Sequence, residues 1–222
     1  MTLNREVKHG RFLSFEGIEG CGKTTQIAIL SDYLAKRSIP NTVTREPGGT
    51  SVGEGIRKIL LHSETIHLTA AAELLLFFAS RSQNITEKIL PSLARGEVVI
   101  CDRFYHASMA YQGYGRGIPL EYIEKLTDLV CGDHRPEITI LLDIAPEIGL
   151  SRARARNEKR APQGEDEGRF EMEDVLFYTK IRNGYLDLAR HDPDRIKVLP
   201  ADRSIEAIHH DIVRLLGIDD GV

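Results

Sequence analysis

Five short apolar runs punctuate the chain, at residues 12–15, 42–44, 98–101, 138–142 and 196–199, each continuous enough for a strand covered on both faces. Between them, residues 23–36, 52–61, 70–93, 120–130, 146–156, 175–190 and 205–216 repeat apolar positions at three- and four-residue spacing, the period of an amphipathic helix. Strand and helix therefore alternate. That order predicts an α/β fold with a five-stranded parallel sheet flanked by helices, and binding sites at the carboxyl ends of its strands. No internal repeat or long linker interrupts the pattern, so residues 1–222 are expected to form one domain. One stretch departs from the alternation. Residues 157–168 hold no large apolar side chain, are rich in charge and glycine, and follow a run of arginines, as a mobile flap would.

Composition then narrows the classes. With 222 residues, 41% hydrophobic and 28% charged, the chain can bury one sizeable core and is not expected to be disordered. The longest strongly apolar runs, residues 74–79 and 138–142, fall far short of the roughly 20 residues a membrane span needs. The first ten residues lack a signal-peptide apolar region, so no membrane association and a cytoplasmic location are expected. Cys21, Cys101 and Cys131 are odd in number and lack metal-ligand spacing, which argues against disulfides and structural zinc. A net charge of −4 argues against a nucleic-acid surface and leaves a small molecule as the expected partner.

The strongest chemical signal lies between the first strand and the first helix. Gly17-Ile18-Glu19-Gly20-Cys21-Gly22-Lys23-Thr24 fits G-x-x-x-x-G-K-[ST] in the context that a P-loop requires. Its glycines let successive N–H groups converge on an anion, and the helix N-terminus adds partial positive charge. ATP contacts are expected from these eight residues and from Thr25, with Lys23 on the outer phosphates and the Thr24 hydroxyl on Mg²⁺. P-loops also occur in GTPases and motors. No N-K-x-D segment for guanine is present and the chain is short for a motor, so small-molecule phosphoryl transfer remains. Asp102-Arg103 ends the third apolar run and should emerge at the carboxyl edge of the sheet beside the P-loop.

Four phrases extend this reading: Phe15-Glu16-Gly17-Ile18-Glu19-Gly20, Thr44-Arg45-Glu46-Pro47-Gly48-Gly49-Thr50, Cys101-Asp102-Arg103-Phe104 and Ala110-Tyr111-Gln112-Gly113. In this order they resemble the thymidylate kinases, over about residues 12–216. The resemblance implies transfer of the ATP γ-phosphoryl group to dTMP, giving dTDP for dTTP synthesis. It also implies a P-loop nucleoside-monophosphate-kinase fold, a lid over approximately residues 152–170 and a homodimer. The alternative within the class is another nucleoside-monophosphate or deoxynucleoside kinase. A nucleotide-sensing regulator without turnover would have lost Lys23, Arg103 or the lid arginines, and all are present.

The same resemblance suggests roles residue by residue. Arg103 and Arg57 would hold the dTMP phosphate, and Asp102 would help order Mg²⁺; Arg57 and Lys58 also fit the solvated face of a helix. Arg45 and Glu46 fit either acceptor positioning or an internal ion pair. Phe77 and Arg81, four apart on one helical face, match an F-x-x-x-R spacing in which Phe77 stacks on thymine and Arg81 donates to O4. Core packing is the other reading of Phe77. Ser108 and Gln112 match polar positions near the base N3 edge, and Tyr111 stands either under the sugar or in plain packing.

Arg152, Arg156 and Arg160 are spaced by four, and bacterial thymidylate kinases carry a similar R-A-R-A-R run that closes on ATP. The P-loop holds no arginine, so Arg156 is the expected transition-state cation, with Glu19 as the acidic loop residue of that type. Arg169, followed by Phe170-Glu171, matches a second lid arginine, although this chain is longer between Arg156 and Arg169 than such relatives. His106 reads as a helix-start residue. No general base is needed, because the acceptor phosphate is already ionised near neutral pH.

Overall fold

The computed structural model describes residues 10–62, 68–160, 169–170 and 173–218, with the side chains of residues 156–160 excluded. Strands β1 (Arg11–Glu16), β2 (Asn41–Arg45), β3 (Val98–Asp102), β4 (Ile138–Asp143) and β5 (Ile196–Pro200) form one parallel sheet in the order β2-β3-β1-β4-β5. Each of the five apolar runs is a strand, extended by a residue or two. β1 is buried along its whole length, as a central strand covered on both faces must be.

Helices α1 (Lys23–Lys36), α2 (Ser51–Leu61) and α3 (Ala70–Asn84) follow the first two strands. The single helix expected over 70–93 is interrupted. A π-helical turn occupies Ile85–Ile89 before α4 (Leu90–Ala94). Pro91 supplies the reason, since it has no N–H for the carbonyl four residues back and its ring crowds that turn. After β3 comes a segment the apolar spacing did not reveal: α5 (Tyr105–Ser108) running into a second π-helical turn, Met109–Gly115. It is buried nearly all round and includes His106, Ser108 and Gln112, so it shows no amphipathic stripe.

α6 (Leu120–Cys131), α7 (Pro146–Arg160), α8 (Val175–His191) and α9 (Ile205–Leu216) complete the layers. α7 continues four residues past its expected end, so the start of the proposed flap is helical; residues 161–168 lie outside the described residues. Side chains cap α2 (Thr50), α3 (Thr69), α8 (Asp174) and α9 (Ser204). α1 is different. The capping residue before it is Gly22 at φ 98°, with no side-chain cap and no acidic residue in the first turn, so its leading N–H groups are left for an external acceptor. Among the described residues no helix is long and apolar enough to cross a membrane.

Candidate active site

A cavity of about 730 Å³ opens along the carboxyl edge of the sheet. The P-loop, after central β1, lines its middle. Arg45, Glu46 and Pro47 after β2, and Asp102, Arg103, Ser108, Tyr111 and Gln112 after β3, line one side with Arg57, Phe77 and Phe170. Ala201, Arg203, Ile205 and Ile208 after β5 line the other with Gln26 and Arg152. Because β2 and β5 are the two edges of the sheet, the cavity crosses it from end to end over the P-loop.

The P-loop turn depends on close backbone approach. Gly20 has φ 71°, and a Cβ there would sit 2.0 Å from the Gly149 oxygen on α7, so any side chain would push the loop off its support. Lys23 is buried, and its Nζ donates to the Gly17 and Ile18 oxygens at 2.9 and 3.0 Å. An anion in the loop is a stronger acceptor than either carbonyl, so Lys23 can exchange these bonds for phosphate. Gly17 and Ile18 are absent from the cavity lining; they lie behind it as carbonyl partners of Lys23. The Thr24 hydroxyl donates to Asp102 Oδ2 at 3.1 Å, linking the first turn of α1 to the end of β3. No group of three or more His, Cys, Asp or Glu that could hold a metal is found among the described residues. One hydroxyl and one carboxylate at the phosphate end fit Mg²⁺, a hard cation usually bound by one or two protein oxygens together with substrate phosphates.

Arg103 is the centre of the charge network. It has φ 69°, a left-handed conformation that costs a non-glycine residue on the order of 1 kcal/mol or more. Two bonds fix the turn: Arg103 N–H to the Phe15 oxygen at 2.9 Å, and Phe104 N–H to Glu16 Oε1 at 2.8 Å. The guanidinium then donates to Glu19 Oε1 at 2.8 Å, Tyr111 Oη at 3.1 Å, the Gly17 oxygen at 2.9 Å and Tyr185 Oη at 3.3 Å. Tyr111 donates to the other oxygen of Glu19. Burial pushes the Glu19 carboxyl up, but Arg103 first and Lys23 next outweigh it and hold Glu19 below the ordinary carboxylate range.

Glu16 behaves oppositely. It is fully enclosed at the end of β1, accepts from Tyr185 Oη at 2.7 Å, and burial raises its pKa to about 7 against the opposing pull of Arg103. Between the ordinary carboxylate value and about 7, the folded chain holds a proton that the unfolded chain has released. Its contribution to stability is therefore complete in acid and is lost as pH rises through 7, with a slope of at most about 1.4 kcal/mol per pH unit. Glu16→Gln should flatten the pH dependence of urea unfolding between pH 5 and 7.5. Equal slopes in the two proteins would show that Glu16 does not titrate in this window.

The acceptor side is more enclosed than the spacing suggested. Phe77 lines the cavity, with Phe170 and Tyr111 packed near it; the Phe77–Phe170 centroids are 6.4 Å apart and those of Tyr111 and Phe170 are 5.6 Å apart. Arg81 shares Phe77's helix but lies behind the lining, 1% exposed. It donates to Glu46 at 2.7 Å, and to the Phe104 oxygen and Ser108 Oγ at 3.1 Å, while no partner among the described residues reaches its Nη1. Glu46 thus pairs with Arg81, and Arg45 with Glu54 at 2.9 Å. Arg57 donates to the Pro47 oxygen at 2.9 Å on the lining. Ser108, Tyr111 and Gln112 stand together on the lining as expected.

His106 is buried against Thr139, and burial lowers its pKa to about 3, so it is a neutral packing residue. Arg152 lines the far end and pairs with Asp202 at 3.3 Å. Arg156 and Arg160 lie on the last turns of α7, but their side chains lie outside the described residues. Arg169 is not brought to the P-loop: its guanidinium bonds Glu73 and the Leu60 oxygen. Sequence reasoning missed Glu16, Glu73, Phe170 and Tyr185, each of which acts through partners far away in the chain. The aromatic residue beside Arg169 was the one local hint.

The pattern of the thymidylate kinase family matches residues 15–212. A thymidylate kinase of Syntrophotalea carbinolica is 49% identical over 90% of this chain and 92% of its own. One of Citrifermentans bemidjiense is 51% identical over 86% and 84%. The crystal structure of thymidylate kinase from Ehrlichia chaffeensis superposes with a TM-score of 0.74 at 34% identity, covering 94% of this chain and 98% of that one. With a P-loop, an Asp-Arg strand end and a two-sided cleft in this arrangement, and with likeness along nearly its whole length, the chain belongs to the thymidylate kinase family.

Proposed function

We infer that this protein is an ATP-dependent dTMP kinase that transfers the γ-phosphoryl group of ATP to dTMP and releases dTDP. The observation that carries the reading is one continuous cleft lined by Phe77 and Gln112 on one side of the P-loop and by Ala201 and Ile208 on the other, with Lys23 and Arg103 on the same lining. Two nucleotides can lie there end to end with their phosphates facing. At about 4 Å two unit negative charges repel by about 4 kcal/mol at an effective dielectric of 20, so cations between them are a requirement of the reaction. Lys23 and the P-loop amides hold the donor phosphates, and Arg103 with Arg57 holds the acceptor phosphate. Thr24 and Asp102 would hold Mg²⁺, which when bound supplies charge neutralisation and a fixed in-line geometry. The acceptor oxyanion attacks unaided, so the work of these residues is positioning and charge.

On the acceptor side Phe77 stacks on the thymine, Arg81 presents a donor to O4, and Ser108 and Gln112 read the N3 edge. Tyr111, tied to Glu19, lies by the sugar. Arg81 Nη1 supports this: it has no partner among the described residues, a buried donor left so is costly unless a ligand takes it, and the guanidinium lies directly behind the lining residues Glu46 and Ser108 that it bonds. The lid over residues 152–170 brings Arg156 to the transferred group, with Arg152 and Arg160 on the same helix, and excludes water while closed. ATP as co-substrate supports a cytoplasmic location. The homodimer is supported by apolar side chains exposed on the adjoining helices α2, α3 and α6, from Ile59 at 48% and Leu75 at 57% to Leu129 at 80%. A monomer in sedimentation velocity at assay concentration would remove it.

The function itself is tested by phosphorylation rates with ATP on dTMP, dUMP, dCMP, dGMP and thymidine. dTMP should be used best. dUMP should follow within about tenfold, because one buried methyl is worth only about 0.8 kcal/mol. Preference for thymidine or dGMP would contradict the assignment.

A further inference from the structure

Glu73 stands on α3 one turn before Phe77 and is 1% exposed. A carboxylate so enclosed needs partners, and it draws them from two other parts of the chain. Oε1 accepts from Gln112 Nε2 at 2.8 Å and from Arg116 Nε at 3.4 Å. Oε2 accepts from Arg116 Nη2 at 3.4 Å and from Arg169 Nη2. Arg116 in turn pairs with Glu173 at 2.6 Å, just before α8.

The contact with Gln112 has a chemical sign. An ionised carboxylate only accepts, so Gln112 must turn its NH₂ towards Glu73, and the amide oxygen is the end left for the cavity. No hydrogen bond from the described residues reaches that oxygen. An acceptor at this place matches a base with a hydrogen on N3, as thymine has. It opposes cytosine, whose N3 is itself an acceptor. Were Gln112 reversed, the preference would reverse with it. We propose that Glu73 is a positioning residue for base selectivity: by holding the Gln112 amide nitrogen 2.8 Å away, it fixes the Gln112 oxygen towards the acceptor base. Arg116 and Arg169 donate to the same carboxylate, so both of its oxygens are engaged as acceptors and its orientation is fixed.

This rests on the placement of Gln112 at the base proposed above, and the experiment separates the two. kcat/KM is measured for dTMP and dCMP in the wild-type protein and in Gln112→Leu, Glu73→Gln and Glu73→Asp. Gln112→Leu should lower the dTMP-to-dCMP ratio. Glu73→Gln offers either a donor or an acceptor, frees Gln112 to turn, and should lower the ratio about tenfold or more. Glu73→Asp keeps a carboxylate among the two arginines but draws it back by one methylene from Gln112, and should lower the ratio as well. If Gln112→Leu shifts the ratio and both Glu73 variants lose equally on the two substrates, Glu73 is only a structural tie and the proposal is overturned. If Gln112→Leu leaves the ratio unchanged, the base placement fails and the proposal falls with it. The wild-type protein supplies a check that needs no variant. With dTMP bound, nuclear Overhauser contacts from the Gln112 NH₂ to the Glu73 methylenes support the orientation, and contacts to the base overturn it.

Discussion

Lys23→Ala should lower kcat by at least about 10²–10³-fold with no comparable loss of dTMP binding. Removing one preorganised donor from a developing charge has about that effect, and Lys23 brings a full charge as well. The fold should persist, since Lys23 bonds groups of its own loop, the Gly17 and Ile18 oxygens at 2.9 and 3.0 Å and Cys21 Sγ at 3.5 Å, and Glu19 keeps its pair with Arg103. Single-turnover transfer from ATP to dTMP, read beside a thermal melt, checks both halves. Turnover within tenfold of wild type would mean that the loop amides alone carry the donor phosphates.

Arg103→Ala should be more disruptive. The side chain is the shared partner of Glu19, Tyr111, Tyr185 and the Gly17 oxygen, so its loss strands a carboxylate beside the P-loop as well as removing the cation proposed for the acceptor phosphate. Breaking an enclosed pair in this way typically costs about 3–5 kcal/mol, nearer the lower end here because Arg103 and Glu19 keep 15% and 16% of their side-chain surface. kcat/KM for dTMP should fall by 10²-fold or more, and Tm should fall too. Arg103→Lys separates the effects: it restores a charge for Glu19 and much of the stability, but not the planar fork that meets a phosphate with two bonds. If Arg103→Lys matched wild type in kcat/KM, the bidentate role would be wrong.

How much of this was visible in the chain follows from how local each signal is. β1, β3 and β4 were legible because parallel strands covered on both faces are written as continuous apolar runs, and the P-loop because its glycines, Lys23 and Thr24 are adjacent; the edge strands β2 and β5 are not covered in this way, and Val43 and Val198 are exposed. Residues 105–115 escaped notice because they are buried on every side and include polar groups, so no period appears. The break at 85–89 was signalled only by Pro91. Glu73 reads as one polar residue in an apolar helix, and Glu16 as the end of a strand; their partners lie 39 and 169 residues away, at Gln112 and Tyr185. Arg81 shares a helix with Phe77, yet no spacing rule could reveal that Glu46, from the segment after β2, pairs with it while Phe77 alone of the two lines the cavity. Arg169 sat in a lid-like phrase, but the carboxylate that claims it is on α3.

If fixed cations and loop amides let two nucleotide phosphates face each other within one cleft, a molecule that joins the two nucleotides should fill it. Calorimetric binding of a bisubstrate molecule, adenosine and thymidine joined through a chain of phosphates, tests it most directly. Binding should be far tighter than that of ATP or dTMP alone, compete with both, and weaken at least tenfold in Lys23→Ala and in Arg103→Lys. Binding no tighter than either half, or displacement by only one of the two substrates, would contradict it.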